Sequence, residues 1–368
     1  MLHKLTLVVP TFNRQKYALR NMRYWSGKGA TVLIMDGSDS PIPAEDLAGI
    51  ENNIQYHHKI ASLEERLKAA SSYINTEYAM LCGDDEFQIH SGIVACLEFL
   101  ENNEEYTACC GRCIGFRVER NKVELFPEKA YHVDHYVNQS LIGERVKYHI
   151  GNYMVTTIYG VHRQDSFKLC LSGISRSCSC IYVAETIFEL ISAVSGKSIV
   201  LPNATWLRSY ENKPIQTELT DRKYRISSWY DDPLKVMEVD SVYNDLQRSL
   251  ANIGDVSATD DIWESACCAL KLRINADRAS IPPINLKRPF VVRVKLSISK
   301  KIPQVVKFYI KRIMTLLNIK KERSYYVNGQ DCSYKELVKK SSIILNEKEI
   351  NAIMERVLLF HGVRKMRR

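Results

Sequence analysis

The sequence predicts a doubly wound α/β domain built on a largely parallel sheet, and three observations carry that expectation. Short apolar runs at residues 5–9, 31–35 and 78–81 alternate with stretches of helical periodicity. Each run gives way at once to turn-forming residues: Pro10-Thr11-Phe12-Asn13, Asp36-Gly37-Ser38-Asp39 and Gly83-Asp84-Asp85-Glu86. Acids stand at two of these strand ends, so their loops should meet in one crevice at the carboxyl edge, where such sheets bind ligands.

The elements follow in order. The first strand leads into a helix over about 15–26, and residues 54–58 read as a third strand. Ser62 followed by Glu65 opens the next helix as a capping box. After strand 78–81 and its acids, a helix runs from about 90 to 100, followed by β-like stretches at 106–118 and 122–126. A polar region rich in His and Tyr extends to Tyr153. Residues 156–161 read as strand, 182–194 as helix, and 199–201 with 206–210 as a closing strand pair. Glu211-Asn212-Lys213-Pro214 breaks the pattern. Residues 216–280 look helical, and Ile281-Pro282-Pro283 marks a linker. Three parts result: a domain over 1–215, a helical extension over 216–285 and a C-terminal region over 286–368.

Over 368 residues, 45% hydrophobic and 25% charged side chains are ordinary globular usage and exclude a disordered chain, a fibre or a polytopic membrane protein. No apolar run approaches the roughly 18 to 20 residues needed to cross a bilayer, and the first residues lack the pattern of a signal peptide. A cytoplasmic protein is expected. Eleven scattered cysteines, an odd number, argue against a disulfide framework. Cys110 with Cys113, Cys178 with Cys180, and His132, His135 and His149 could assemble a zinc site on paper. Their spacing repeats no known finger, so buried or incidental thiols are expected instead.

The formal charge of +9 is unevenly spread. Twelve Lys or Arg between Lys287 and Arg323, against Glu322 alone, give that segment +11 and leave the remainder near −2. Within it Ile302, Val305, Val306, Tyr309, Ile310 and Ile313 fall at helical spacing, which reads as a basic amphipathic helix. Such a helix can lie against an anionic membrane surface, or simply pack on the protein with its lysines solvated. No nucleic-acid partner is expected, because the rest of the chain offers no cationic surface.

Three consecutive acids after an apolar strand repel one another unless a cation or buried donors compensate. They form either a solvated turn or a set of oxygen ligands that shares Mg²⁺ or Mn²⁺ with substrate phosphates, the ion meeting charge on a departing diphosphate. Gly83-Asp84-Asp85 also looks like the metal loop of RNA-dependent polymerases, but only 83 residues precede Asp84, too few for a fingers region and a further acid upstream.

Leu7-Val8-Val9-Pro10-Thr11-Phe12-Asn13-Arg14, then Met35-Asp36-Gly37-Ser38, then Leu81-Cys82-Gly83-Asp84-Asp85-Glu86-Phe87 resemble, in order and spacing, the family 2 glycosyltransferases. The resemblance covers roughly residues 4–215 and is strongest over the first 90. It implies a GT-A-like, Rossmann-like mixed sheet that binds a nucleoside-diphosphate sugar. Pro10, Thr11 and Arg14 match the loop along the nucleotide, Asp36 the acid that hydrogen-bonds the base, and Asp84, Asp85 and Glu86 the Asp-x-Asp metal motif. Two departures stand out: one acid where many relatives have two after the second strand, and Glu in place of the last Asp of the metal motif.

Inverting transfer needs a carboxylate to take the acceptor's proton. The family places it at the start of a helix about 100 residues after the metal motif, where Val183-Ala184-Glu185-Thr186 fits, so Glu185 is the expected base. The competing reading of Glu185 is an acid favoured by the helix dipole. Glu189 and Asp165 are the fallbacks. Arg208 is placed to meet the diphosphate, or is a surface arginine. Lys59 and Arg66 follow the third strand and could reach the nucleotide. His57 and His58 alternate in a strand, so at most one faces the crevice.

The expected function is transfer of a sugar from a nucleoside diphosphate to a hydroxyl of a glycan or lipid-linked acceptor, with inversion and with Mg²⁺ or Mn²⁺. Surface polysaccharide or glycolipid synthesis would suit it, with the enzyme held peripherally at the inner face of the membrane through residues 287–323. Two alternatives keep the architecture: a decayed nucleotide-sugar-binding protein, and a nucleotidyltransferase, which would want a Gly-rich phosphate loop that Pro10-Thr11-Phe12-Asn13-Arg14 does not provide.

Overall fold

In the computed structural model, residues 1–119, 122–127, 134–152, 157–212, 225–253, 259–279, 325–327 and 343–362 are described. Strands β1 (Leu5–Thr11), β2 (Thr31–Asp36), β3 (Ile54–His58) and β4 (Tyr78–Leu81) form a parallel block in the order β3-β2-β1-β4. β1, β2 and β4 are apolar along nearly their whole length because both faces are covered, as expected of parallel strands. On the far side of β4 the sheet continues antiparallel through β9 (Val161–Arg163) to the long β6 (Tyr106–Glu119), then β7 (Lys122–Pro127) and β11 (Tyr325–Val327). β10 (Lys197–Ser209) runs parallel to β6 and carries the short β5 (Phe87–Gln88) and β8 (Tyr136–Val137). This is the doubly wound mixed α/β sheet that the sequence predicts.

Two apolar cores lie on opposite faces. The first is built with α1 (Gln15–Trp25) and α3 (His90–Glu101). The second collects α2 (Leu63–Ala70), α4 (Ile142–Gly151), α5 (Gln164–Gly173) and α6 (Ile181–Ser195), joined by α7 (Ile226–Asp231), α8 (Val236–Ala251) and α9 (Thr259–Ala279). The helical extension is thus a layer on α4, α5 and α6. The last helix, α10 (Glu347–Phe360), belongs to the first core through Ile350, Ile353, Met354 and Val357. Its Glu349 accepts hydrogen bonds from the His90 and Ser91 amides and the Ser91 hydroxyl, capping α3 from another part of the chain.

The Ser62–Glu65 capping box forms as expected. Two predicted elements differ. Residues 157–159 form a 3₁₀ turn where a strand is expected, because the Thr157 and Ile158 amides donate to the buried Glu189 carboxylate and not to a neighbouring strand. The closing strand pair is one strand, β10, whose register against β6 slips between Val200 and Ala204, where Pro202 has no amide to donate. The basic segment 287–323 and His132 lie outside the described residues. Eight of the ten described cysteines are buried, as expected of thiols in apolar surroundings. Among the described residues no helix is long and apolar enough to cross a membrane.

Candidate active site

The register of β1 places Thr11 beside Asp36 and Val8 beside Leu81, so the loops after β1, β2 and β4 share one edge. Asp84 is fully buried there. The Thr11 hydroxyl donates to its Oδ2 at 2.7 Å, the Arg14 Nε donates to the same oxygen at 3.1 Å, and the Arg14 Nη2 takes the other oxygen. The Arg14 Nη1 reaches Asp85 Oδ2 at 3.2 Å, an oxygen that also accepts from the Asn212 amide at 2.6 Å. Burial pushes the Asp84 carboxyl up to about 6, and the Arg14 charge opposes that rise.

Glu86 is turned the other way. Its Oε2 accepts from the Trp206 indole at 2.8 Å, and burial, with the charge of Asp85, pushes its carboxyl up to about 8. The expected Mg²⁺ or Mn²⁺ ligands Asp84, Asp85 and Glu86 therefore do not converge. Among the described residues no three His, Cys, Asp or Glu side chains are grouped to hold a metal ion. The cation on this acid pair is a guanidinium, and a divalent ion does not fit the donor set as it is arranged.

Asp36 is not open to the crevice. It is fully buried, with Ser38 N at 2.8 Å, the Tyr56 hydroxyl at 2.7 Å and Gln15 Nε2 at 3.1 Å donating to its two oxygens. Burial alone would raise its carboxyl, but these donors hold it below the usual value. Its work is to shape the loop at 37–40, where Ser38 Oγ receives the Asn13 amide and the His58 ring meets the Ser38 carbonyl. Asn13, at φ 53°, adopts the left-handed conformation that asparagine tolerates, and pairs with Asp39 side chain to side chain.

Arg66, expected near the nucleotide, is a buried strap: Nη1 donates to the carbonyls of Thr11 at 2.8 Å and Met35 at 2.5 Å. A Cβ on Gly37 would come within 2.5 Å of its Nε, so this position needs glycine for space. Pro10 sits opposite Met35 near the end of β1. Lys59 is exposed, and His57 stacks on Tyr73 away from His58.

Glu185 lies on α6 beyond the first turn, so the helix-dipole reading does not apply to it. It is partly exposed and receives no hydrogen bond or ion pair from the described residues. Burial, then the charge of Glu189, push its carboxyl up to about 7, against Arg208 and Arg273. Arg208 lies over the Trp206 and Tyr210 rings at 5.7 and 5.6 Å. Its charge acts on both Glu86 and Glu185, which places the two acids in one neighbourhood. Glu189 is fully buried and bonded through both oxygens, and Asp165 is an exposed first-turn acid of α5, so neither suits the base.

Several site residues have no signal in the sequence. Arg20 donates to both oxygens of Glu211, at 2.8 and 2.7 Å, and to the Asp85 carbonyl at 2.7 Å, while His361 reaches Glu211 at 2.5 Å. The bonded partners lie up to 191 residues apart and meet only in the fold. An open cleft of about 580 Å³ beside the acids is lined by Asn13, Arg14, Tyr17, Ser38, Asp39 and Asn212, among others.

No protein-family model matches the sequence, and no curated protein matches it. Among solved structures the chain is similar to S. aureus TarS, at 11% identity and a TM-score of 0.43, over 75% of this chain and 55% of that one. It thus spans about half the length of that protein. It is also similar to residues 1–349 of S. aureus TarS in complex with UDP (10% identity, TM-score 0.43) and with UDP-GlcNAc (11%, 0.41), each over 75% of this chain and 90% of the other.

Proposed function

We propose that this crevice binds a nucleoside-diphosphate sugar and transfers the sugar, with inversion, to a hydroxyl of a glycan or lipid-linked acceptor. The observation that carries the reading is a contrast between acids: Asp84 and Asp85, bonded to Arg14 beside the cleft, and on α6 the partly exposed, unbonded Glu185, whose carboxyl burial pushes up to about 7. A carboxyl poised there can accept a proton near neutral pH.

In the reaction, the acceptor oxygen attacks the anomeric carbon as its proton passes to the Glu185 carboxylate. The bond from that carbon to the diphosphate oxygen breaks, and the diphosphate leaves with the electron pair. Arg14, with 40% of its side chain exposed beside the cleft, is placed to turn from the acids to the phosphates, and its planar fork suits them. Arg208 supplies a second positive charge near Glu86 and Glu185. Asp36 and Arg66 act indirectly, by fixing the loops that line the nucleotide cleft. An Mg²⁺ or Mn²⁺ ion could join only if Arg14 released Asp84 and Asp85. Transfer at the inner face of a membrane, in surface polysaccharide or glycolipid synthesis, would follow if residues 287–323 bind anionic lipid.

The test is a panel of nucleotide sugars assayed for release of the nucleoside diphosphate, with Mn²⁺ and with a chelator, alongside calorimetric binding of UDP, GDP and dTDP. Release from one donor, abolished in Glu185→Gln while nucleotide binding persists, is the expected result. Binding without any turnover would favour the decayed sugar-binding protein, and release of pyrophosphate in place of a nucleoside diphosphate would favour the nucleotidyltransferase.

A further inference from the structure

One helical turn below Glu185, the Glu189 carboxylate is the hub of a buried network. Oε2 accepts from His149 Nε2 at 2.6 Å, from the Thr157 hydroxyl, and from the Thr157 amide at 3.4 Å, while Oε1 accepts from the Ile158 amide at 3.0 Å. Four donors thus converge on one carboxylate. On its other side His149 Nδ1 lies 2.9 Å from His135 Nε2, so hydrogen bonds link His135 through His149 to Glu189. Burial lowers His135 to about 4, keeping that ring neutral.

The turn that Glu189 pins carries Tyr159. That ring stacks on Trp206 with centroids 4.3 Å apart and planes 27° apart, and the Trp206 indole holds Glu86. One carboxylate therefore reaches both sides of the crevice, through α6 to Glu185 and through the turn to the acidic loop.

We propose that Glu189 is a positioning residue for the candidate base: buried one turn beneath it on α6, it sets a fixed negative charge behind the Glu185 carboxyl and anchors the 157–159 turn that supports Trp206 and Glu86. The proposal rests on the sugar-transfer reading for its catalytic meaning, but not for its structural content. The charge of Glu189 contributes to the raised proton affinity of Glu185, second only to burial. The groups facing Glu189 are His149 and His135, His162 of β9 and Cys170 of α5, and those facing Glu185 are Arg208 of β10, Arg273 of α9, and Tyr182 and Cys180 at the head of α6. His135 and His162 are both lowered to about 4, so neither changes charge between pH 5 and 9.

The test titrates the Glu185 carboxyl in the full chain by ¹³C NMR of carboxyl-labelled glutamate, assigned with Glu185→Gln. The midpoint should fall by about one pH unit in Glu189→Gln and stay raised in Glu189→Asp, which keeps the charge. An unchanged midpoint in a folded Glu189→Gln overturns the proposal. Thr157→Val, which leaves the carboxylate in place, covers the case in which Glu189→Gln does not fold: it should lower kcat severalfold with donor KM unchanged, and an unchanged kcat overturns the anchoring role. A wild type that transfers no sugar sinks the transfer reading alone, because the carboxyl titration needs no substrate.

Discussion

Asp84 and Glu185 are both acids that burial drives toward neutral pH, to about 6 and about 7, yet they sit in opposite circumstances. Asp84 is bonded to Thr11 and doubly to Arg14, whereas Glu185 has no partner among the described residues. A carboxylate whose lone pairs are all taken can hold a loop or a charge in place. One left unbonded can exchange a proton with a ligand. The number of donors, more than the shift in proton affinity, separates the bonded carboxylates from the one open to a ligand, and Asp36 and Glu189 fall with Asp84.

The comparison breaks first at Glu185. Glu185→Gln should cut transfer by about 10²–10⁴-fold with nucleotide affinity unchanged, since only proton acceptance is lost; equal losses in kcat and in nucleotide binding would show that the residue belongs to the donor site. Arg14→Ala is next. It strands Asp84 and Asp85 without their cation, so calorimetry with UDP should show affinity falling about 10-fold or more, recovered in part by Mn²⁺ that can now take the vacated carboxylates. Binding indifferent to both changes would remove Arg14 from the site.

Asp36→Asn should cost about 1–3 kcal/mol in urea unfolding at pH 7, by leaving donors on Ser38, Tyr56 and Gln15 poorly matched. The folded carboxyl is depressed below its unfolded value, so its stabilisation is present above about pH 4 and lost as the pH falls through the folded value; the difference between the two proteins should shrink in acid. Glu86→Gln has the opposite sign. Wild-type Glu86 titrates at about 8 when folded and near 4.5 when unfolded, so the unfolded chain releases its proton first and stability declines as the pH rises between those values. The amide can still accept from Trp206, so melting temperatures of variant and wild type should converge at pH 4 and separate by a few degrees, in favour of the variant, at pH 9.

Where local pattern decides structure, the sequence is a reliable guide. β3 and β4 fall on the expected residues, α1 and α6 within one residue of their expected ends, and the Ser62 box caps α2. Short runs bounded by turn residues favour strands, and a capping box is a local device. The failures are tertiary. A buried glutamate decides that 157–159 is a turn, and a proline in a strand that lies along β6 makes one irregular strand from an expected pair. The same division runs through the site. Acids at strand ends are visible in the sequence, but the direction each one faces is not: Asp36 turns to its own loop, Glu86 to an indole 120 residues away, and Arg66 to two carbonyls.

Helix α10 packs beside β7 and adds Ile350, Ile353, Met354 and Val357 to the first core, which also holds Leu5, Leu7 and Val9 of β1. During synthesis, β1 and β2 leave the ribosome more than 300 residues before these side chains. The second core has all its helices by residue 279, so the first core is the later of the two to be completed as the chain is made.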